Sequence, residues 1–215
     1  MSLIDLLTGN TGNQVAEKAE NKFGVSKTQI LALLAVAAPL VISYLRNKSK
    51  DANEAEALNN ALNKDHDGSI LDDPSQADAR QDEGNSILSH IFGGDKGAVE
   101  NNLSQTSGIS IDKIGPILAM LAPVIMGYIG KQKQENNVGA GGLGDLLGGI
   151  LGNAQGQAQA SDNPLGNILG SVLGGSQSSS GGGIGDLLGG LLGGNDDKKQ
   201  GGGLGDILGG FLGGK

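Results

Sequence analysis

Long apolar runs followed by cationic residues organise the first part of the chain, and one such stretch occurs twice. Residues 24–48 and 108–132 align without a gap at an offset of 84 residues. The eight identical pairs are Gly24/Gly108, Ser26/Ser110, Ile30/Ile114, Leu34/Leu118, Ala35/Ala119, Ala38/Ala122, Pro39/Pro123 and Tyr44/Tyr128. Most other positions exchange one apolar residue for another, so the pattern predicts a duplicated, buried helix. Ser26 and Ser110 lie just before the predicted helix of each copy and are predicted to cap it through their hydroxyl groups.

Shorter amphipathic segments precede each copy and predict two more helices per unit. Residues 3–8 and 87–92 carry apolar side chains at helical spacing and end at Gly9 and Gly93. In the following segment Val15 corresponds to Val99 at the same offset. The sequence therefore predicts an all-α, internally duplicated multihelical domain of two three-helix units. We expect the units over about residues 1–50 and 85–134, a connector over residues 51–84, and the whole domain over residues 1–138.

The two long helices are apolar on every side, which allows two interpretations. From Ile30 to Ile42 no side chain is polar, a run of 13 residues. A membrane span needs about 20 apolar residues, whereas a run of 10–14 is more typical of a core helix. The length favours a soluble helical core, and the alternative is a pair of helices that cross a membrane.

Glycine is concentrated after residue 138, where 28 of the 40 glycines lie, and this composition predicts a separate tail over residues 139–215. Four copies of one short pattern occupy residues 142–152, 164–175, 183–194 and 203–214. In the first copy the apolar residues have the spacing of one helical face. They are Leu143, Leu146, Leu147, Ile150 and Leu151. The tail is thus predicted to hold four short, weakly helical Gly/Leu repeats joined by polar linkers.

Each repeat also carries glycines four residues apart, a spacing that lets helices approach closely. The first copy has Gly144, Gly148 and Gly152. Because a helical glycine costs about 1 kcal/mol relative to alanine, a lone repeat needs a partner surface to stay folded. That surface is another repeat, the core domain, another chain or a bilayer. The alternative is a mostly disordered low-complexity tail.

Between the two units, residues 63–74 are rich in Asp and Asn and resemble a calcium-binding loop. We call these residues the Asp-rich segment. In the twelve-residue pattern of such loops, alternate residues supply oxygen ligands, a glycine makes the sharp turn at position 6, and an apolar residue follows at position 8. Gly68 and Ile70 occupy those two positions. The candidate calcium ligands are Asn63, Asp65, Asp67, Ser69, Asp72 and Asp73. Calcium is the only cofactor that the sequence suggests.

The match to the calcium loop is incomplete at its end. Position 12 is normally a bidentate glutamate and is Pro74 here, so Asp72 or Asp73 would have to replace it. The residues that follow are polar and predict no clear outgoing helix. The alternative is a solvated, ion-free turn. His66 and His90 are the only histidines, and both are predicted to be solvated or surface-packed rather than catalytic.

Composition narrows the classes of function. The net charge is −8 and no basic cluster occurs, which argues against binding to nucleic acid. The chain has no cysteine and therefore neither disulfides nor thiolate chemistry. Residues 1–10 lack the cationic start of a signal peptide, so a cytoplasmic location is expected. No catalytic constellation and no small-molecule substrate can be identified, and we expect the protein not to be an enzyme.

The duplicated Ala-Pro helix and the segment NKDHDGSILDD together resemble the YidB-like family. The resemblance covers about residues 1–135. It implies a small bacterial all-helical domain whose function is unassigned, and it provides no catalytic residues for this chain.

These observations predict a non-enzymatic structural or interaction protein. Its helical core would carry a multivalent Gly/Leu tail for self-association or for attachment to a protein partner. One alternative is a membrane-associated protein that inserts its apolar helices or its tail into lipid. Another alternative is a calcium-responsive binding module.

Overall fold

A computed structural model describes residues 1–160, which fold into eight α-helices. Residues 1–160 contain no β-strand, so the predicted all-α class is confirmed. The helices are α1 (Leu3–Thr8), α2 (Asn10–Phe23), α3 (Lys27–Lys48), α4 (Ala52–Lys64), α5 (Gln81–Phe92), α6 (Lys96–Ser107), α7 (Ile111–Glu135) and α8 (Leu143–Ala160). Short 3-10 turns lie at Ser69–Leu71, Pro74–Ala77, Gly93–Asp95 and Ala140–Gly142.

The two longest helices, α3 and α7, form the centre of the hydrophobic core. Residues 33–43 of α3 and residues 117–130 of α7 are buried without interruption. Both helices continue through their prolines, Pro39 in α3 and Pro116 and Pro123 in α7. By length and composition alone, both helices could cross a membrane. Buried core helices of soluble proteins meet the same criterion. Within this molecule, 72% of the most apolar 18-residue window of α3 and 83% of that of α7 are buried.

Two shorter helices precede each long helix: α1 and α2 precede α3, and α5 and α6 precede α7. Helices α2 and α6 end at Gly24 and Gly108, whose φ angles of 64° and 68° favour glycine. Ser26 and Ser110 then share an extended backbone conformation. The Ser26 hydroxyl accepts a hydrogen bond from the Gln29 amide at 3.3 Å, whereas the Ser110 side chain makes no capping bond. The prediction that the Ser110 side chain caps α7 is therefore wrong.

The helix predicted over residues 87–92 is present and ends at Gly93, but it begins earlier than the sequence indicated. Helix α5 begins at Gln81, four residues before the expected second unit, and packs along α7. Asp82 and Glu83 lie in its first turn, where negative charge suits the helix dipole. Leu88 and Ile91 on its apolar face are buried. The expectation of no clear outgoing helix is therefore wrong, because one apolar face buried against α7 is enough to stabilise it.

Three glycines allow neighbouring groups, two backbone carbonyls and one side chain, to pack closely at α7. A β-carbon at Gly84 of α5 would lie 1.7 Å from the carbonyl oxygen of Ala119. A β-carbon at Gly130 would lie 1.7 Å from the carbonyl oxygen of His66, and one at Gly127 would lie 2.4 Å from Cγ2 of Ile70. No side chain fits at these points without movement of the neighbouring segment. Glycine thus sets the spacing between α7 and both α5 and the Asp-rich segment.

The hydrophobic core continues past residue 138, where the sequence places the end of the domain. Helix α8 contains the first Gly/Leu repeat and packs mainly on α3, with further contacts to α1, α4 and α7. Its apolar residues belong to the same buried cluster as those of the other helices. The first repeat is therefore part of the folded core. The repeats at residues 164–175, 183–194 and 203–214 lie outside the described residues.

Candidate functional site

The groove that holds α8 is the first candidate site, because it binds one copy of a pattern that occurs four times. Leu143 and Leu147 have no exposed surface, and Ile150 and Leu151 are each 6% exposed. Leu146 lies at the edge of the same face and is half-buried. The five residues fall at i, i+3, i+4, i+7 and i+8, as the sequence predicted for one helical face. We call this surface of α1, α3, α4 and α7 the α8 groove.

The glycines of α8 do not bring two backbones together. A β-carbon at Gly144 would lie 3.4 Å from the Ser49 hydroxyl oxygen, and one at Gly148 would lie 3.1 Å from Nε of Arg46. Within the described part of the chain, Gly152 has no neighbour within 4 Å of such an atom. Both neighbours that exist are side-chain atoms, and the Arg46 atoms belong to a flexible side chain. In the first repeat, the four-residue glycine spacing therefore does not serve the close backbone approach that the sequence suggested.

The Asp-rich segment is folded by its own internal hydrogen bonds. The Asp67 carboxylate accepts a hydrogen bond from the Ser69 amide at 3.0 Å, and this bond is the main cause of a lowered Asp67 pKa. The Asp73 carboxylate accepts from the amide and the hydroxyl of Ser75, and the hydroxyl bond is the main cause of its lowered pKa. Both are turns in which a carboxylate bonds the backbone two residues ahead.

Two of the other candidate calcium ligands have cationic partners, and Asp72 is exposed. The Asn63 side-chain oxygen accepts from Lys133 Nζ at 2.5 Å, and the Asp65 carbonyl accepts from Arg80 Nη2 at 2.8 Å. Within residues 1–160, no group of three or more His, Cys, Asp or Glu side chains is placed to hold a metal ion. Calcium binding by Asn63, Asp65, Asp67, Ser69, Asp72 and Asp73 stays a prediction.

Two features of the calcium-loop pattern have a packing role. Gly68 has a φ of 101°, as a sharp turn at position 6 requires, and its Cα faces Lys131 of α7. Ile70 is 1% exposed and fills the space next to Gly127. Gly68 and Ile70, which match the loop pattern, therefore also pack the Asp-rich segment against α7.

His66 is buried, at 4% exposure, and the prediction that it is solvated or surface-packed is wrong. Its Nε2 lies 3.3 Å from the Glu83 carboxylate, which also pairs with Arg80. Its Nδ1 is buried and has no hydrogen-bond partner among residues 1–160. Burial is the main cause of a lowered His66 pKa, and it outweighs the opposing effect of Glu83. The imidazole is therefore neutral at pH 7.

A cavity of about 240 Å³ opens beside His66 between α3, α4, α5 and α7. Most of its wall is apolar and includes Leu45, Leu58, Ile87, Ile91 and Met126. At its edge the Glu54 carboxylate lies 3.4 Å from Lys48 Nζ and 3.3 Å from Nε2 of His90. His90 is exposed, in agreement with its predicted surface position. The sequence could not reveal this cavity, because its walls come from four separate helices.

The fold and these sites define a class: an all-helical protein with a buried pair of apolar helices and a Gly/Leu-rich tail. Residues 5–132 match the model of a family described as "Bacterial protein of unknown function (DUF937)". The chain belongs to this family, of which YidB is a member, so the resemblance noted in the sequence is confirmed. No curated protein and no solved structure matches the chain.

Proposed function

We propose that this protein is a non-enzymatic interaction protein whose helical core binds Gly/Leu repeats and whose tail supplies them. The tail would serve self-association or attachment to a protein partner. One observation carries the proposal: the first repeat is buried in the α8 groove through Leu143, Leu147, Ile150 and Leu151. A surface that accepts this pattern is therefore present in the molecule that carries three further copies of it.

We also propose that the core is internally duplicated and that each unit has four helices. Helices α1–α4 and α5–α8 would be the two units. The matching order of the helices and the left-handed glycines Gly24 and Gly108 support this. A further support is that α4 contacts α7 while α8 contacts α3, so each unit ends in a helix that contacts the long helix of the other. On this proposal the first repeat is the counterpart of α4.

Weak repeats in several copies suit reversible assembly. Each helical glycine costs about 1 kcal/mol relative to alanine, so a single repeat binds weakly. Several repeats on one chain raise the local concentration of the others after the first has bound, and overall affinity rises without new contacts. The polar linkers between the repeats give the reach that such binding needs.

Sedimentation velocity over a range of concentrations tests the proposal on the full-length chain. We expect the wild-type protein to form larger species as concentration rises. The matched variant Leu169→Glu/Leu188→Glu/Leu208→Glu changes the counterparts of Leu147 in the other three repeats, and we expect it to stay monomeric.

The control variant Gln177→Glu/Ser179→Glu/Gln200→Glu adds the same charge in the linkers and should behave as the wild type. A wild-type chain that is monomeric at every concentration would contradict self-association. A repeat variant that assembles as the wild type does would show that the repeats are not responsible.

Membrane association is the second candidate, favoured by the length and apolar composition of α3 and α7. Flotation of the full-length chain with liposomes tests it in detergent-free buffer. Recovery with the lipid fraction in wild type and in the repeat variant alike would favour insertion of the apolar helices over the proposed interaction protein. Recovery of the wild type alone would assign lipid binding to the tail.

A further inference from the structure

We infer that the α8 groove of one chain binds a Gly/Leu repeat of a second copy of the same chain, in the register in which it holds α8. The inference rests on the proposed function and names its partner and its site. The fourth repeat, residues 203–214, is the segment that we assign to the groove for the purpose of a test. Exchange of α8 for this repeat would link chains without any new surface.

The buried positions of α8 are apolar in every repeat. These positions define what the groove recognises, because they are the side chains that it removes from water. The counterparts of Leu143 are Leu165, Ile184 and Leu204; those of Leu147 are Leu169, Leu188 and Leu208; those of Ile150 are Val172, Leu191 and Phe211; and those of Leu151 are Leu173, Leu192 and Leu212. Each repeat can thus present the same face.

Glycine recurs where α8 passes closest to Arg46. A β-carbon at Gly148 would lie 3.1 Å from Nε of this arginine, so a larger residue there would displace its side chain. The corresponding residues of the other repeats are Gly170, Gly189 and Gly209. A repeat from another chain therefore meets no steric obstacle at this contact.

One difference between the repeats favours α8 over the other three repeats as the occupant of its own groove. Ala154 of α8 is 2% exposed, whereas its counterparts are the polar residues Ser176, Asn195 and Lys215. Helix α8 thus buries one residue that the others cannot match, and it also competes from within its own chain. At low concentration α8 holds the groove, and exchange between chains grows with concentration.

Helix α8 is also suited to leave the groove. Its repeat contains Gly144, Gly148, Gly149 and Gly152, so its helical structure is costly without the groove. The connection from α7 passes through Asn137, whose φ of 51° is unusual for a residue other than glycine. Helix α8 therefore depends on its buried side chains, which a second repeat can replace.

Disulfide trapping between full-length chains tests the inference, since the natural chain has no cysteine. A β-carbon at Gly144 would lie 3.4 Å from the Ser49 hydroxyl oxygen, so Ser49→Cys with Gly144→Cys in one chain serves as the positive control. In the test, a Ser49→Cys chain is mixed with a Gly205→Cys chain under mild oxidation. Gly205 is the counterpart of Gly144 in the fourth repeat.

We expect the mixed pair to form a heterodimer at least about tenfold faster than a mixture of Ser49→Cys and Gly210→Cys chains. Gly210 is the counterpart of Gly149, which has no neighbour within 4 Å of a β-carbon. Adding Leu208→Glu to the Gly205→Cys chain should abolish the advantage. Equal rates for the two positions would overturn the inference. If the repeats still drive assembly in sedimentation, the proposed function would stand without it.

A second measurement tests the same inference without a disulfide. Leu147→Glu releases α8 and leaves the groove to the other repeats, so we expect self-association to begin at a lower concentration than in the wild type. If the repeats bound only to one another, this variant would associate equally or less, which would overturn the inference. Combining Leu147→Glu with Leu169→Glu/Leu188→Glu/Leu208→Glu should restore the monomer. If the combined variant still assembled, the association would be non-specific aggregation and the inference would be overturned.

Discussion

Glycines around α7 and glycines in α8 have opposite surroundings, although both sets lie in helices. Gly84 and Gly130 meet a backbone carbonyl so closely that an added β-carbon would lie 1.7 Å from its oxygen. In α8, by contrast, no described residue lies within 4 Å of such an atom at Gly149. The first set is required by packing. The second set lowers the stability of α8 and meets only side-chain atoms, at Gly144 and Gly148, so it brings no two backbones together in return.

The difference shows that two mechanisms hold the two parts of the core. Around α7, the absence of side chains lets backbone segments come close and exclude water. In α8, the leucine face carries the contacts and the glycines weaken the helix that presents it. A firmly packed centre thus carries a helix that depends on its groove, an arrangement that suits an exchangeable segment.

The largest expected effect comes from filling the tight contact at Gly130. Gly130→Ala places a methyl group where the His66 carbonyl lies, so we expect the free energy of unfolding to fall by about 3 kcal/mol or more, the upper end for overpacked cores. Chemical denaturation measures it. Gly97→Ala is the matched control, because its added carbon meets nothing within 4 Å. Equal stability of the two variants would contradict a packing role for Gly130.

The next effect comes from removing a buried leucine of α8. Leu147 is fully buried, and Leu147→Ala should cost about 2–5 kcal/mol of docking or folding free energy. Hydrogen exchange would show whether α8 alone loses protection. Asp145→Ala, on the exposed side of the same helix, is the control. Unchanged protection in Leu147→Ala would mean that the leucine face does not hold α8.

A pH effect follows from the burial of His66 beneath Gly130. Burial lowers the His66 pKa below its ordinary value of 6.5, so the unfolded chain binds the proton more readily than the folded one. Stability conferred by the neutral imidazole is present above pH 6.5 and is lost as pH falls through the folded pKa. Thermal unfolding between pH 7 and pH 5 should show this decline. His66→Gln should reduce this loss of stability, whereas His90→Gln, at an exposed site, should leave it unchanged. An unchanged loss in His66→Gln would contradict its assignment to His66.

The smallest expected effect has the opposite sign. Gly149→Ala adds a methyl group in open space within a helix, so we expect α8 to gain up to about 1 kcal/mol. Hydrogen exchange of α8 amides measures the gain. The same change at Gly148 would displace Arg46 and should gain less. A loss of protection in Gly149→Ala would mean that this side of α8 is not open.

Much of the helical core could be predicted, because its helices are indicated by local sequence patterns. The apolar runs of α3 and α7 and the glycine ends of α2 and α6 are visible in the sequence. The second half of α5, residues 87–92, was predicted, whereas its first turns from Gln81 were missed since they are polar and their stability comes from α7. The candidate site was predicted only in part: the helical face of the first repeat was visible, but its groove was not.

The sequence by itself determined the all-helical class, the two buried helices, the family and the repeated apolar face of the tail pattern. Only the tertiary structure decided which glycines are tight, that His66 is buried beside Glu83, and that the first repeat fills a groove on α3. The physical reason is that periodicity records which side of a helix avoids water. The segment that covers that side is distant in sequence, and only the packed chain brings the two together.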